Sequence, residues 1–238
     1  MAGHSKWSNI QHRKKAQDAK RGKHFTKFIR EIVVATKEGG ADKTSNPRLR
    51  LAIDKALQGN MTKDTINKAI QRGAGQQDSD QYQSITYEGY ATGGIAVLVK
   101  CLSDNRNRTV GEVRHAFSKH GGNLGTEGSV AFLFKEKGHI VIKASKDFDT
   151  VFDLAIELGA EDLIKEEDVY IIETSPQQFE SIFAQIQTQS FEILSADITM
   201  IADDYLTCSE EEAIKVKKLL DMLEDLDDVQ SVYINTKV

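Results

Sequence analysis

Only two cysteines occur in 238 residues, Cys101 and Cys208. Each lies in or beside an apolar segment, with no Cys-x-x-Cys or Cys/His neighbour, which argues against both a disulfide framework and a zinc site. They read as reduced, hydrophobic fillers of a reducing compartment. Proline is equally scarce, and Pro47 and Pro176 each stand where a helix is expected to open. No apolar run approaches the ~20 residues that span a bilayer. The opening Met1–Trp7 lacks the hydrophobic core of a signal peptide, so a cytoplasmic location is expected and no membrane partner. Enzyme signatures are missing too. Gly121-Gly122-Asn123-Leu124-Gly125 with Gly128 is neither a dinucleotide fingerprint nor a Walker loop. No serine or cysteine has a nucleophile context, and no histidine has a partner at metal spacing. The carboxylates of 157–168 and of Glu210-Glu211-Glu212 read as a solvated loop and a helix start. No catalytic residue, metal ligand or cofactor is expected.

What is present is an unequal division of charge. Met1–Gly75 holds 17 Lys/Arg against 6 Asp/Glu, while residues 76–238 hold 14 against 30. The overall charge of −5 hides this split. A basic front joined to an acidic remainder points to contact with a polyanion on one side only.

Periodicity places three helices in the basic part. Phe25, Phe28, Ile29, Ile32 and Val33 form the stripe of the first, which Gly39-Gly40 ends. Asn46-Pro47 caps the second, which buries Leu49, Ala52, Ile53 and Ala56 and stops at Gly59. Thr62 opens the third, with Ile66, Ala69 and Ile70 as its stripe and an end at Gly73. A polar stretch, 73–84, reads as a hinge. The period then changes to that of strands at Ile85–Tyr90 and Ile95–Leu102, followed by a helix capped at Thr109 with Glu112 and a strand at Val130–Phe134. From His139 the order is strand, helix (Phe148 onward), two short strands, a helix opened by Ser175-Pro176, and a strand at Phe191–Ala202, which is the ferredoxin-like split βαβ pattern. The remaining helix, Ser209–Leu226, and strand, Val229–Asn235, cannot form a domain alone. They are expected to return to the sheet of residues 76–135, whose apolar face needs another helix. The expected class is α+β: a three-helix domain (1–75) and two ferredoxin-like α/β domains, one of 76–135 with 206–238, the other (136–205) inserted into it.

Candidate contact residues follow from the charge. Lys6, Arg13, Lys14, Lys15, Lys20, Arg21, Lys23 and Lys27 form a basic arm and its continuation, interrupted only by Asp18. Phosphate contact and a merely solvated stretch are the two readings. Trp7 either stacks on a base or packs into the bundle. Arg48 and Arg50 extend the positive surface onto the second helix. Arg106 and Arg108, in Asn105-Arg106-Asn107-Arg108-Thr109, are positive islands in the acidic part. They either grip phosphate or RNA edges at a helix start, or act as ion-pair anchors and caps. Lys119 and His120, at the other end of that helix, are weaker candidates.

An ordered set of motifs runs through the chain: Ala2-Gly3-His4-Ser5-Lys6-Trp7, Ala19-Lys20-Arg21-Gly22-Lys23, Asn46-Pro47-Arg48-Leu49-Arg50, Tyr87-Glu88-Gly89-Tyr90, Asp104 to Thr109, and Gly121 to Gly125. Together they resemble the YebC/PmpR family, also called the YebC/translational activator of cytochrome c oxidase family. One departure is visible: that family usually continues Glu-Gly-Tyr with Gly-Pro-Gly-Gly, where this chain has Ala91-Thr92-Gly93-Gly94. The resemblance implies three domains, helical first and α/β in the other two. It also implies a cytoplasmic DNA-binding transcriptional regulator, with ribosome-associated translation factors and a mitochondrial translational activator among the relatives.

The expectation is therefore a non-enzymatic nucleic-acid-binding regulator. DNA in transcription regulation comes first, with Gln58, Asn60, Asn67, Gln71 and Arg72 as polar groups able to face bases. The alternative is RNA binding in translation regulation, with ribosomal or transfer RNA, or the ribosome, as partner. A protein partner met through the acidic α/β domains is the third reading.

Overall fold

The computed structural model describes residues 21–75 and 82–237, with the backbone alone for 21–24. Candidates Lys6, Trp7, Arg13, Lys14, Lys15 and Lys20 lie outside the described residues, as do residues 76–81 of the 73–84 stretch expected as a hinge. The chain forms two compact units. One holds the described part of 21–131 together with Leu206–Thr236; the other holds Phe132–Tyr205 with Lys237.

The first unit opens with three helices, α1 (Arg21–Gly39), α2 (Pro47–Gln58) and α3 (Lys63–Ala74). Their caps are the expected ones: the Asn46 side chain accepts the Leu49 N–H and the Thr62 hydroxyl accepts the Thr65 N–H. Asn46 is buried and also donates to the Ala35 and Gly40 carbonyls, so one side chain both starts α2 and closes the end of α1. Ile32, Val33, Leu49, Ala52, Ala56, Met61, Ile66 and Ala69 form the shared core. Gly73, expected from sequence to end α3, instead lies within the helix and is buried. A β-carbon there would sit 2.6 Å from the Val33 carbonyl oxygen and 2.7 Å from Thr36 Cβ. Glycine is what lets α3 close onto α1. Gly73→Ala should therefore destabilise the bundle by about 1–3 kcal/mol, although glycine-to-alanine inside a helix ordinarily stabilises by about 1 kcal/mol. Urea unfolding followed at bundle amides gives the sign, and a gain in stability would refute the packing argument.

The same unit continues with β1 (Gln83–Tyr90), a 3₁₀ turn at Thr92–Gly94, β2 (Ala96–Ser103), α4 (Arg106–Lys119) and β3 (Asn123–Leu124). In the other unit follow β4 (Phe134–Lys143), α5 (Phe148–Glu157), β5 (Asp162–Glu166), β6 (Val169–Thr174), α6 (Phe179–Thr188) and β7 (Ile193–Ala202). The chain then re-enters the first unit with α7 (Glu210–Glu224) and β8 (Val229–Ile234). One α/β domain is thus inserted into the other. The C-terminal strand returns to pair antiparallel with β2, giving a sheet in the order β3-β1-β2-β8. Val97, Val99, Cys101, Val232 and Ile234 present one face to Val113, Ala116 and Phe117 of α4 and to Val216, Leu219 and Leu223 of α7. Burial pushes the Cys101 thiol up to about 12, which keeps it protonated and unreactive.

In the inserted unit the order β5-β6-β4-β7, with every neighbouring pair antiparallel, is the ferredoxin-like arrangement expected from the element sequence. Val151 and Ala155 of α5, and Phe179, Ile182 and Ile186 of α6, are buried.

Three local expectations need correction. The helix α4 begins at Arg106, a turn before Thr109, because the Asn105 side chain takes the cap by accepting the Arg108 N–H. The Ser175-Pro176 pair opens a turn, and α6 itself begins at Phe179. The strand expected at Val130–Phe134 begins only at Phe134. The N–H groups of Val130 and Ala131 donate instead to the Glu88 carboxylate, which draws them out of any ladder.

Candidate nucleic-acid interface

Among the described cations named from sequence, Lys27 is turned inward, and Arg48 and Arg50 lie partly exposed with partners inside the bundle. Arg21 and Lys23 lie on the first turn of α1, where only the backbone is described. Lys27 is buried, and its Nζ donates to the Glu224 carbonyl at 2.8 Å. Arg48 pairs with Glu31 at 2.7 Å and with Glu38. Burial works to lower the Arg48 pKa, but the two carboxylates outweigh it and hold it above its ordinary value. Arg50 donates to the Lys43 carbonyl at 2.9 Å and so fastens the loop before α2. Lys37, Lys43, Lys63, Lys68 and Arg72 are exposed on the bundle. Of these, Lys68 meets Asp64 at 2.7 Å with both side chains in solvent, an arrangement worth little.

The two arginines of the 105–109 motif separate in role. Arg106 is exposed on the first turn of α4, where its backbone carbonyl accepts a hydrogen bond from the Tyr87 hydroxyl at 3.3 Å. Arg108 turns back to Asp228, 2.9 Å away, and to Asp104, 2.6 Å away. Those hydrogen bonds raise its pKa above the ordinary arginine value. Asp228 is the centre of this arrangement. It also accepts from the Thr109 hydroxyl (2.6 Å), the Ser103 hydroxyl (2.9 Å) and Arg30 of α1 (2.6 Å). Burial alone pushes the Asp228 carboxyl up. The hydrogen bonds from Thr109, Arg108 and Ser103, with the Arg30 charge, outweigh burial and hold it below the usual carboxylate range. Arg30 also donates to the Asp227 carbonyl at 2.6 Å and lies over the Tyr82 ring, 5.3 Å from its centroid. One buried carboxylate thus ties the helical bundle to the sheet, the start of α4 and the entry to β8.

Asp228 was not identifiable from the sequence. Thr109 and Asp228 are 119 positions apart, and Asp227-Asp228 reads as an ordinary polar turn. The signal that was present is the isolation of Arg106 and Arg108 among acids, which points equally to a phosphate or to a carboxylate partner. For Arg108 the partner in the structure is a carboxylate.

The other motif residues are largely architectural. Glu88 is buried, and its carboxylate accepts the N–H groups of Gly128, Val130 and Ala131, each at 2.7 Å. Burial pushes its pKa up, but the three N–H donors bring it below the ordinary value. A β-carbon on Gly89 would lie 2.6 Å from the Asn123 carbonyl, so glycine permits β3 to approach β1. The Tyr90 hydroxyl donates to the Ser129 carbonyl at 2.8 Å. In the Ala91-Thr92-Gly93-Gly94 turn, both glycines have positive φ (79° and 71°). The Thr92 hydroxyl reaches the His120 carbonyl at 3.3 Å. Lys119 ends α4, and the His120 ring at its cap is held below its usual pKa by burial and by Lys119, Lys218 and His115.

Among the described residues, no group of three or more His, Cys, Asp or Glu side chains is placed to hold a metal ion. Nor is any helix among them long and apolar enough to cross a membrane.

Comparison with known proteins gives a consistent picture along the whole chain. Residues 5–76 match the TACO1/YebC protein N-terminal domain, and residues 82–236 match the TACO1/YebC second and third domain. A probable transcriptional regulatory protein from Aeromonas hydrophila is 56% identical, covering 100% of this chain and 97% of its own length. One from Idiomarina loihiensis is 53% identical, covering 100% of this chain and 96% of its own. The crystal structure of a conserved hypothetical protein from Aquifex aeolicus superposes with a TM-score of 0.82 at 47% identity, covering 92% of this chain and 91% of that one. On the match of its helical part and of both α/β domains, the chain belongs to the TACO1/YebC family.

Proposed function

We propose that this protein is a non-enzymatic, DNA-binding transcriptional regulator that engages the phosphate backbone with its basic front. The observation that carries this reading is the partition of charge: 17 Lys/Arg against 6 Asp/Glu in Met1–Gly75, and the reverse excess beyond it. Relatives that match this chain end to end are named probable transcriptional regulatory proteins, which supports the regulatory role. The exposed face of α3 offers Lys63, Asn67, Lys68, Gln71 and Arg72, a mix of cations for phosphates and amides for base edges. The arm residues Lys6, Trp7, Arg13, Lys14, Lys15, Lys20, Arg21 and Lys23 supply the remaining phosphate contacts, with Trp7 available for stacking. Lys27, Arg48 and Arg108 serve mainly by fixing the scaffold, because Lys27 is held by a backbone carbonyl and the two arginines by carboxylates of the same unit. Arg106 remains a solvent-facing contact at the start of α4.

RNA is the second reading. An arm that mixes one tryptophan with many cations suits unpaired bases as well as phosphates.

Replacing Lys14, Lys15, Lys20 and Arg21 together by alanine should weaken binding of a fluorescent DNA duplex by at least ten-fold near 0.1 M salt. The log–log salt slope should become shallower by roughly 0.9 for each phosphate that is no longer neutralised. Circular dichroism should be unchanged. Equal affinity and an equal slope in the variant would refute the arm's role. Crosslinking in cells, with DNA and RNA both sequenced, decides between the targets: promoter enrichment supports transcription control, and dominant ribosomal RNA reads reject it.

A further inference from the structure

The inserted unit presents an arrangement that nucleic-acid binding leaves unused. Residues 132–205 hold 16 Asp/Glu against 5 Lys and no Arg. On α5, Phe152 is 37% exposed and Ile156 is 58% exposed, one turn apart on the same face. Beside them Asp149, Asp153 and Glu157 stand at successive i, i+4 positions, all in solvent. The helix has no basic residue in its last turn, and Lys146 just before it lies over the Phe191 ring, 4.3 Å from the centroid. Like charges at i, i+4 repel. A carboxylate in a C-terminal turn opposes the helix dipole. Ile156, more than half exposed, and the open edge of Phe152 add a further cost. Phe152 stacks on Phe148, with ring centroids 5.8 Å apart, but Ile156 and the carboxylate column are not needed to hold the helix, which Val151 and Ala155 already anchor.

We propose that this face of α5 docks a Lys/Arg-rich protein segment bearing a large apolar anchor. The cations of such a segment would meet the carboxylate column, and its anchor would cover Phe152 and Ile156. Nucleic acid is excluded by charge. A second copy meeting this one through the same face would bring the same carboxylates against themselves. A helix of ten residues is also only about 15 Å long, too small to supply the ~800 Å² per partner of a stable dimer.

The test uses the full chain and two fluorescent peptides, one helical with leucine and lysine at i, i+4 spacing, the other polylysine. The leucine-containing peptide should bind more tightly. Ile156→Ser alone, and Asp149→Asn/Asp153→Asn/Glu157→Gln together, should each weaken it at least ten-fold. The control Glu167→Gln/Asp168→Asn/Asp204→Asn, on exposed carboxylates of the same unit, should change it less than two-fold. The arm substitutions should leave it unaffected. Equal losses in the control, equal binding of polylysine, indifference to Ile156→Ser, or protection of α5 amides by duplex DNA would each overturn the proposal.

Discussion

Asp228→Ala should cost the first unit about 3–5 kcal/mol, because it leaves buried cationic and hydroxyl donors without their acceptor. The Asp228 side chain is 3% exposed and that of Arg30 is 12% exposed, so water cannot readily take the place of the lost carboxylate. Arg108 is 42% exposed, and Arg108→Ala should therefore cost less than about 1 kcal/mol. The asymmetry distinguishes a buried hub from a set of surface pairs. Because the chain forms two units, one melting curve mixes their transitions. Hydrogen exchange at β2 amides isolates the relevant one. A change below about 0.5 kcal/mol for Asp228→Ala would show that the hub is not supporting the junction. The pH dependence has a definite sign. The folded-state pKa of Asp228 is depressed, so its contribution is fully present above the unfolded value of about 3.9 and is lost as pH falls through the lower, folded value. Asp228→Asn should remove that part of the acid sensitivity.

Glu88→Ala should release the loop 125–131 and cost about 2–4 kcal/mol, since several backbone N–H groups lose their acceptor at once. Val130 is fully buried, and Ala131 is partly so. Glu88→Gln is the sharper variant. Its amide oxygen can still accept from one side of the loop, but its NH₂ must face an N–H donor on the other. Its cost should fall between those of wild type and Glu88→Ala. Exchange protection at the Val130 and Ala131 amides, with limited proteolysis between Thr126 and Ser129, reads the effect directly. Undiminished protection at Val130 in Glu88→Ala would show that the carboxylate is not what holds the loop. As with Asp228, the depressed pKa means that the stabilisation is present above the ordinary glutamate value and disappears in acid.

Both predictions concern residues inside, or in contact with, the motifs that carry the family resemblance. The Tyr87-Glu88-Gly89-Tyr90 run holds a loop against a sheet edge. The Asn105 to Thr109 run caps a helix and supplies two of the groups around Asp228. Part of what marks the family is thus the means of joining a helical bundle to a sheet. Of the positive residues singled out from sequence, Lys27, Arg48 and Arg108 are engaged with this framework, while Arg106 faces solvent.

The sequence by itself determined the helices, most strands and the caps of α2 and α3, because these depend on neighbours within a few residues: a 3.6-residue stripe, an asparagine or threonine at a helix start, alternation along a strand. It also determined the charge partition, which is a property of composition. Only the tertiary structure decided that Gly73 is a helix contact rather than a helix end, that Glu88 takes the donors of residues 130 and 131, and that Arg108 meets Asp228 from 120 positions away. A hydrogen bond or a close backbone approach depends on distance in space, and local pattern carries no information about which remote segment will be brought there.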